Sequence, residues 1–226
     1  MSEPAASVPS PAAATLRITE LFLSLQGEAN TAGLPTVFVR LTGCPLRCTY
    51  CDSAYAFSGG EVHAVADLIQ RVSDFAVPRV TVTGGEPLAQ PGVHALLTGL
   101  CDAGFSVSLE TSGALPVDEV DERVVKVVDF KTPASGEAHR NLWGNVLALS
   151  PRDQVKFVLC SETDYQWAKL KCDEHALADR VADVLFSPSW GELDPTLLGD
   201  WMVRDRSPAR LQLQLHKLLW NDEPGR

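Results

Sequence analysis

Three cysteines, Cys44, Cys48 and Cys51, fall within eight residues in the run CPLRCTYC. A C-x3-C-x2-C spacing brings three thiols together only if the loop curls round a common centre. A soft metal ion or an iron–sulfur cluster supplies such a centre. Four thiolates saturate a four-iron cluster, whereas three leave one iron open for chemistry. Two other readings stand beside this one: a zinc site completed by a distant fourth ligand, or three unligated core cysteines. Structural zinc sites usually bring their ligands in two knuckles, and no second C-x2-C pair is present. The other cysteines, Cys101, Cys160 and Cys172, are scattered over helical or strand patterns and read as small buried hydrophobes.

The triplet follows an extended apolar run, Thr36–Thr42, the first of several. Others are Arg79–Thr83, Phe105–Glu110, Val124–Phe130, Val155–Cys160, Asp183–Ser187 and Ala209–Leu215. Helical spacing lies between them. Val65, Leu68, Ile69 and Val72 fall at i, i+3, i+4 and i+7; Val93, Leu96, Leu97 and Leu100 repeat the pattern before a C-terminal Gly104. Tyr165, Ala168 and Cys172 suggest a third helix, and Asp194-Pro195 opens a fourth with Asp as N-cap. Alternating strands and helices imply an α/β fold with a largely parallel sheet, whose ligands gather at the carboxyl ends of the strands. Residues 133–151 are irregular, and local propensity leaves open a loop or a short helix there.

Composition narrows the function classes. Asp and Glu number 29 against 19 Lys and Arg, a net charge of −10, which repels phosphate backbones and argues against general nucleic-acid binding. No stretch approaches the roughly 20 apolar residues that span a bilayer. Residues 1–14 are rich in Ala, Pro and Ser without Lys or Arg, so they read as a disordered leader rather than an export signal, with one catalytic domain over 15–226. A cytoplasmic, reducing compartment then favours thiols or metal ligands over disulfides.

A second signature ends the Arg79–Thr83 run: Thr83-Gly84-Gly85-Glu86-Pro87. Paired glycines let backbone approach a ligand closely, and the Glu86 carboxylate is a natural partner for an ammonium group. A Gly-Gly turn followed by a helix-capping Glu and Pro is the plainer reading of the same residues.

The cysteine spacing, with the aromatic Tyr50 before the last Cys, resembles the cluster loop of the radical S-adenosylmethionine (SAM) superfamily. There three thiolates hold a [4Fe-4S] cluster whose open iron chelates the amino and carboxylate groups of SAM. The GGEP segment resembles the motif that binds the SAM amino group. Within the superfamily, Ser24-Leu25-Gln26-Gly27-Glu28, Phe38-Val39-Arg40-Leu41-Thr42-Gly43, Cys51-Asp52-Ser53, Glu110-Thr111-Ser112-Gly113 and Gln214-Leu215-His216-Lys217 resemble the 7-carboxy-7-deazaguanine synthase family.

That resemblance implies an incomplete (β/α) barrel of about six core parallel strands. It implies ring contraction of 6-carboxytetrahydropterin to 7-carboxy-7-deazaguanine with loss of ammonia, initiated by a 5′-deoxyadenosyl radical. It assigns Cys44, Cys48 and Cys51 to one [4Fe-4S] cluster per chain and Ser53 to Mg2+. Leu25, Gln26, Gly27, Arg40 and Thr83 would contact substrate; Gln26 offers a donor and an acceptor to the pterin edge, and Arg40 a clamp for its carboxylate. Tyr50, Cys51, Asp52, Gly85, Glu86, Asp129, Phe130, Lys131 and Ser187 would line the SAM side. Asp129-Phe130 departs from the Ser-Pro of many relatives, so those two positions carry over backbone contacts only. Glu28 and His216 are the candidates for proton transfer. The expected partners are a flavodoxin- or ferredoxin-like electron donor and a second copy in a homodimer, with no nucleic acid and no membrane. A glycyl-radical activase and a zinc-stabilised interaction domain are the alternatives. LQGE and the Arg40 strand argue against the activase.

Overall fold

A computed structural model describes residues 14–221, 223 and 225. The elements in chain order are β1 (Thr15–Leu25), β2 (Pro35–Leu41), β3 (Glu61–Ala64), α1 (Val65–Ser73), β4 (Arg79–Gly84), α2 (Val93–Asp102), β5 (Ser106–Thr111), β6 (Val125–Asp129), β7 (Gln154–Leu159), α3 (Glu162–Glu174), β8 (Asp183–Pro188), α4 (Pro195–Asp205), β9 (Arg210–Leu211) and α5 (Leu215–Trp220). All nine strands join one open sheet in the order β3-β1-β2-β4-β5-β6-β7-β8-β9. From β2 to β9 every neighbouring pair is parallel, while β1 runs antiparallel to both β2 and β3. Six full-length parallel strands therefore curve into an unclosed barrel, as expected.

The strands are two-sided in chemistry. On the face covered by helices, Val37, Val39 and Leu41 of β2, Val80 and Val82 of β4, and Val155, Phe157 and Leu159 of β7 are at most 1% exposed. Helix α2 buries Val93, Leu96, Leu97 and Leu100 completely against them, each burial contributing roughly 1.5–3 kcal/mol. Gly99 of α2 lets α1 approach: a Cβ there would lie 2.6 Å from Ile69 Cδ1. The other face carries Arg40, Thr81, Thr83, Ser108, Glu110, Gln154 and Lys156, one polar side chain every second residue. That polar lining makes the barrel interior a site rather than a core.

Several expectations need correction. β1 and β3 did not stand out as strands, because β1 changes face midway. Its register shifts between Ile18 and Glu20, so Leu16 and Ile18 enter the core whereas Glu20 and Phe22 line the interior. Ala209–Leu215 is not one extended run. It yields the two-residue β9, a coil, and then α5, which starts at Leu215. Ala14, counted with the leader, is buried, and its carbonyl accepts from the Val65 amide at 3.0 Å; residues 1–13 lie outside the described residues. Cys101, Cys160 and Cys172 are only half-buried. No helix among the described residues is long and apolar enough to cross a membrane.

Residues 133–151 resolve into three 3-10 turns, Pro133–Ser135, Ala138–Arg140 and Trp143–Ala148. Two anchors hold them. Trp143 stacks on Phe130 with centroids 4.4 Å apart, and Asn145 Nδ2 donates to the Gly113 and Leu115 carbonyls at 3.2 and 2.9 Å. The segment supports the cysteine loop.

Candidate active site

The parallel strands β2, β4, β5, β6, β7 and β8 all deliver residues to one cavity of about 580 Å³ at their carboxyl ends. The cysteine loop forms one wall. It leaves β2 through Gly43, whose φ of +97° suits glycine. Leu46, 1% exposed, pins the loop to the interior. From outside, the Thr49 amide donates to Ser135 O at 3.1 Å, and the Arg47 amide to Glu137 Oε1 at 2.7 Å.

Cys44, Cys48 and Cys51 all line the cavity as free thiols, and Cys101, Cys160 and Cys172 do not. The Leu46 amide donates to Cys44 Sγ at 3.4 Å. Burial pushes the Cys44 thiol up and the Cys48 thiol to about 11. Among the described residues no group of three or more His, Cys, Asp or Glu closes round a single ion. A cube of iron and sulfide takes its thiolates at separate corners, and three thiols with no fourth nearby fit it.

Glu86 requires a correction. Its side chain is fully buried and turned away from the cavity. The carboxylate accepts from Thr111 Oγ1 at 2.9 Å, the Ser112 amide at 2.7 Å, Ser112 Oγ, and the Leu88 amide at 3.0 Å. Four donors leave no place for an ammonium group, so the plainer capping reading describes this side chain. What reaches the cavity from the motif is Thr83, Gly84 and Gly85. Phe130 likewise turns into the core, 0% exposed, against Trp143 and Phe157, so only its backbone is available to a ligand.

Asp129 and Lys131 do line the cavity, beside Tyr50. Lys131 Nζ lies 3.0 Å from Asp129 Oδ2, while Asp129 Oδ1 is buried without a hydrogen-bond partner among the described residues. A buried, orphaned acceptor facing an open cavity fits a ligand carrying hydroxyl or amino donors, as SAM does. Ser187 adds a wall from β8.

The LQGE segment forms the opposite wall, where Leu25, Gln26, Gly27 and Glu28 line the cavity. Gln26 is less free than expected. Its Nε2 donates to Thr81 Oγ1 at 3.0 Å and Glu110 Oε1 at 3.4 Å, and its Oε1 accepts from the Glu28 amide at 3.2 Å. Glu28 forms a buried ion pair with Lys156. Arg40 Nε meets Glu20 Oε1 at 2.6 Å, a carboxylate that also accepts from Tyr55 OH at 2.8 Å. Among the described residues the guanidinium makes no further hydrogen bond, so its terminal amino groups remain for a ligand carboxylate.

The C-terminal motif closes the site. A Cβ on Gly27 would lie 2.0 Å from His216 Nδ1, and the Leu215 amide donates to Gly27 O at 2.9 Å. Gln214 Nε2 and Lys217 Nζ reach Asp52 Oδ2 at 3.0 and 3.1 Å. QLHK thus bridges LQGE to the cysteine loop across the cavity mouth. Ser53 caps the 3-10 turn Ala54–Phe57 without a side-chain hydrogen bond, which leaves its hydroxyl, on the cavity wall, unused by the turn.

Sequence reasoning missed Glu110 and Lys156 as site residues, and Glu20 and Tyr55 as partners of Arg40. The available signal was a polar residue at every second position, ending in a charged one, in Ser108-Leu109-Glu110 and Gln154-Val155-Lys156.

Residues 38–130 match the radical SAM superfamily. The 7-carboxy-7-deazaguanine synthase of Chlorobaculum tepidum is 47% identical, over 93% of this chain and 96% of its own. That of Koribacter versatilis is 39% identical, over 92% and 98%. Among solved structures, QueE from Escherichia coli superposes with a TM-score of 0.71 at 22% identity, covering 89% of this chain and 95% of that one. SuiB of Streptococcus suis bound to S-adenosylmethionine has a TM-score of 0.52 at 13% identity, over 76% and 44%. These two likenesses speak to the fold.

Proposed function

The chain belongs to the 7-carboxy-7-deazaguanine synthase family of radical SAM enzymes, and from that premise we propose that its cavity converts 6-carboxytetrahydropterin to 7-carboxy-7-deazaguanine with loss of ammonia. One observation carries the reading: the cysteine triplet, LQGE and QLHK, distant in sequence, line one cavity at the carboxyl ends of the strands. The family's [4Fe-4S] cluster and SAM supply the hydrogen-abstracting 5′-deoxyadenosyl radical when bound.

The residues divide the work. Cys44, Cys48 and Cys51 would ligate the cluster. Tyr50, Asp52, Gly85, Asp129, Lys131 and Ser187 would border SAM, with the Phe130 backbone beside them. Arg40, already oriented by Glu20, would clamp the substrate carboxylate through its terminal amino groups. Leu25, Gly27 and Thr83 would shape the pterin slot, with Glu28 and Glu110 facing its polar edge. Gln26 would contribute its place in the wall and the spare capacity of Oε1. His216, packed on Gly27, would exclude water from that side.

Mg2+ belongs to this reading as a further expectation. It keeps several waters and accepts few protein oxygens, so the Ser53 hydroxyl, which does not cap the turn and has a long contact of 3.9 Å with Cys51 Sγ, suits it. Asp52 is taken by Gln214 and Lys217 and orders the loop instead. Ser53→Ala is expected to blunt stimulation by Mg2+ while cluster content stays constant; an unaltered Mg2+ response excludes that hydroxyl. A flavodoxin- or ferredoxin-like reductant and a homodimer complete the proposal.

The test is turnover. Anaerobically reconstituted, reduced protein incubated with SAM and 6-carboxytetrahydropterin is expected to form 7-carboxy-7-deazaguanine and ammonia, read by mass spectrometry. Cleavage of SAM without that product refutes the substrate and retains only the radical chemistry.

A further inference from the structure

Two carboxyl groups, Glu28 and Glu110, belong to the same polar wall of the cavity and are linked through Gln26, which donates to Glu110 and accepts from the Glu28 amide. Buried carboxylates that face one another repel and resist sharing a full charge each. The cation nearest to them, Lys156, is shared unevenly. Its Nζ ion-pairs with Glu28, whereas among the described residues Glu110 is hydrogen-bonded only by neutral donors, Thr83 Oγ1 at 3.2 Å and Gln26 Nε2 at 3.4 Å. We propose that Lys156 is a positioning residue that divides this pair, holding Glu28 as an anion and leaving Glu110 a neutral carboxylic acid. The inference rests on the pterin reading and deepens it. A 2-amino-4-oxo heterocycle presents adjacent N–H donors and a carbonyl acceptor. An acceptor-only carboxylate takes the first and the hydroxyl of a neutral acid takes the second.

The local balance of charge agrees. Burial raises Glu28, but the charge and hydrogen bond of Lys156 outweigh it and leave Glu28 below its ordinary value. For Glu110, burial and the Glu28 charge prevail over the pull of Lys156 and Arg40, and the group lies above its ordinary value. The other charged groups round the pair are Arg40 on β2, Asp129 on β6, Asp52 in the cysteine loop, and Lys217 beside His216 on α5. Arg40 is engaged by Glu20 of β1, Asp129 by Lys131, and Asp52 by Lys217. Lys156 therefore decides the division. A lowered carboxyl stays charged as pH falls towards neutrality, and a raised one stays neutral until pH climbs through its own value.

The experiment uses reconstituted holoenzyme with SAM and no reductant, so nothing turns over. Infrared spectroscopy should detect a protonated-carboxyl stretch at neutral pH that is lost in Glu110→Gln and weakened in Glu28→Gln, where the repelling charge is gone and Lys156 can turn to Glu110. Calorimetry with 6-carboxytetrahydropterin should show Glu28→Gln losing at least about fivefold more affinity than Glu110→Gln, since an amide replaces a neutral acid better than an anion. Lys156→Met should acquire an acid limb, its affinity falling about tenfold as pH drops from about 8 to 6 and Glu28 takes up a proton. Lys156→Arg should recover most of that loss. A missing stretch, its persistence in Glu110→Gln, equal losses in the two glutamine variants, or a Lys156→Met deficit constant with pH overturns the division. Wild-type protein that shows the stretch but binds no pterin overturns the substrate reading instead.

Discussion

Cys48→Ala is expected to give a folded, colourless protein with almost no iron and no cleavage of SAM. The loop has three thiols for three cluster corners and no reserve, because Cys101, Cys160 and Cys172 lie off the cavity wall. Two thiolates cannot hold a four-iron cluster against loss to solvent. The fold survives because, among the described residues, the loop contributes nothing to the main hydrophobic core, which is built from the helix-covered faces of the strands, while its buried Leu46 lies at the cavity wall. Far-UV circular dichroism should match the wild-type protein, while iron and sulfide analysis falls from about four of each per chain to near zero. Cys101→Ala on α2 serves as comparison and should keep both colour and SAM cleavage. Retention of an intact cluster by Cys48→Ala removes Cys48 from the ligand set.

The parallel core was readable because its strands are short runs carrying Val, Leu and Phe, several of them separated by helices whose apolar positions repeat at 3.6 residues. Val93, Leu96, Leu97 and Leu100 mark α2 without ambiguity. β1 escaped for a physical reason: the bulge between Ile18 and Glu20 breaks the alternation that would have marked it. α5 escaped because Leu215–Trp220 buries little of its own surface, and its Leu218 and Leu219 are exposed. In the site, motif spacing located the cysteine loop and the two glycines. It could not show which way a side chain turns. Glu86 looked like a ligand and is instead consumed by Thr111, Ser112 and Leu88. Glu110 and Lys156 looked like polar interruptions of strands and instead face the cavity. Period-two alternation says that a residue points inward, but only the register of neighbouring strands says what it meets there.

Gly85→Ala is expected to damage cluster assembly without unfolding the protein, and its neighbours explain why. A Cβ at this position would lie 2.3 Å from Gly43 O and 2.8 Å from Cys44 Cβ. Both belong to the main chain or its first side-chain atom, so no rotamer relieves the overlap. The motif cannot withdraw either. The Gly85 amide donates to Leu41 O at 3.1 Å and the Glu86 amide to Gly43 O at 2.8 Å, while the Glu86 carboxylate is pinned by donors on β5 and its following turn. The movable partner is the Gly43–Cys44 segment, and moving it displaces the Cys44 thiol, the first of the three proposed cluster ligands. Overpacking of this kind costs about 1–3 kcal/mol, less than the about 5–15 kcal/mol that holds a domain of this kind together. The chain should therefore stay folded with its melting temperature lowered by a few degrees, about 2–4 °C per kcal/mol for a chain of this length. Iron content after reconstitution should fall below half of the wild-type value, with SAM cleavage reduced at least in proportion. Gly85 is the sharper position to test than Gly84, whose φ of +153° would add backbone strain to the steric effect. Full iron loading and undiminished SAM cleavage in Gly85→Ala would mean that the glycine pair does not set the position of Cys44.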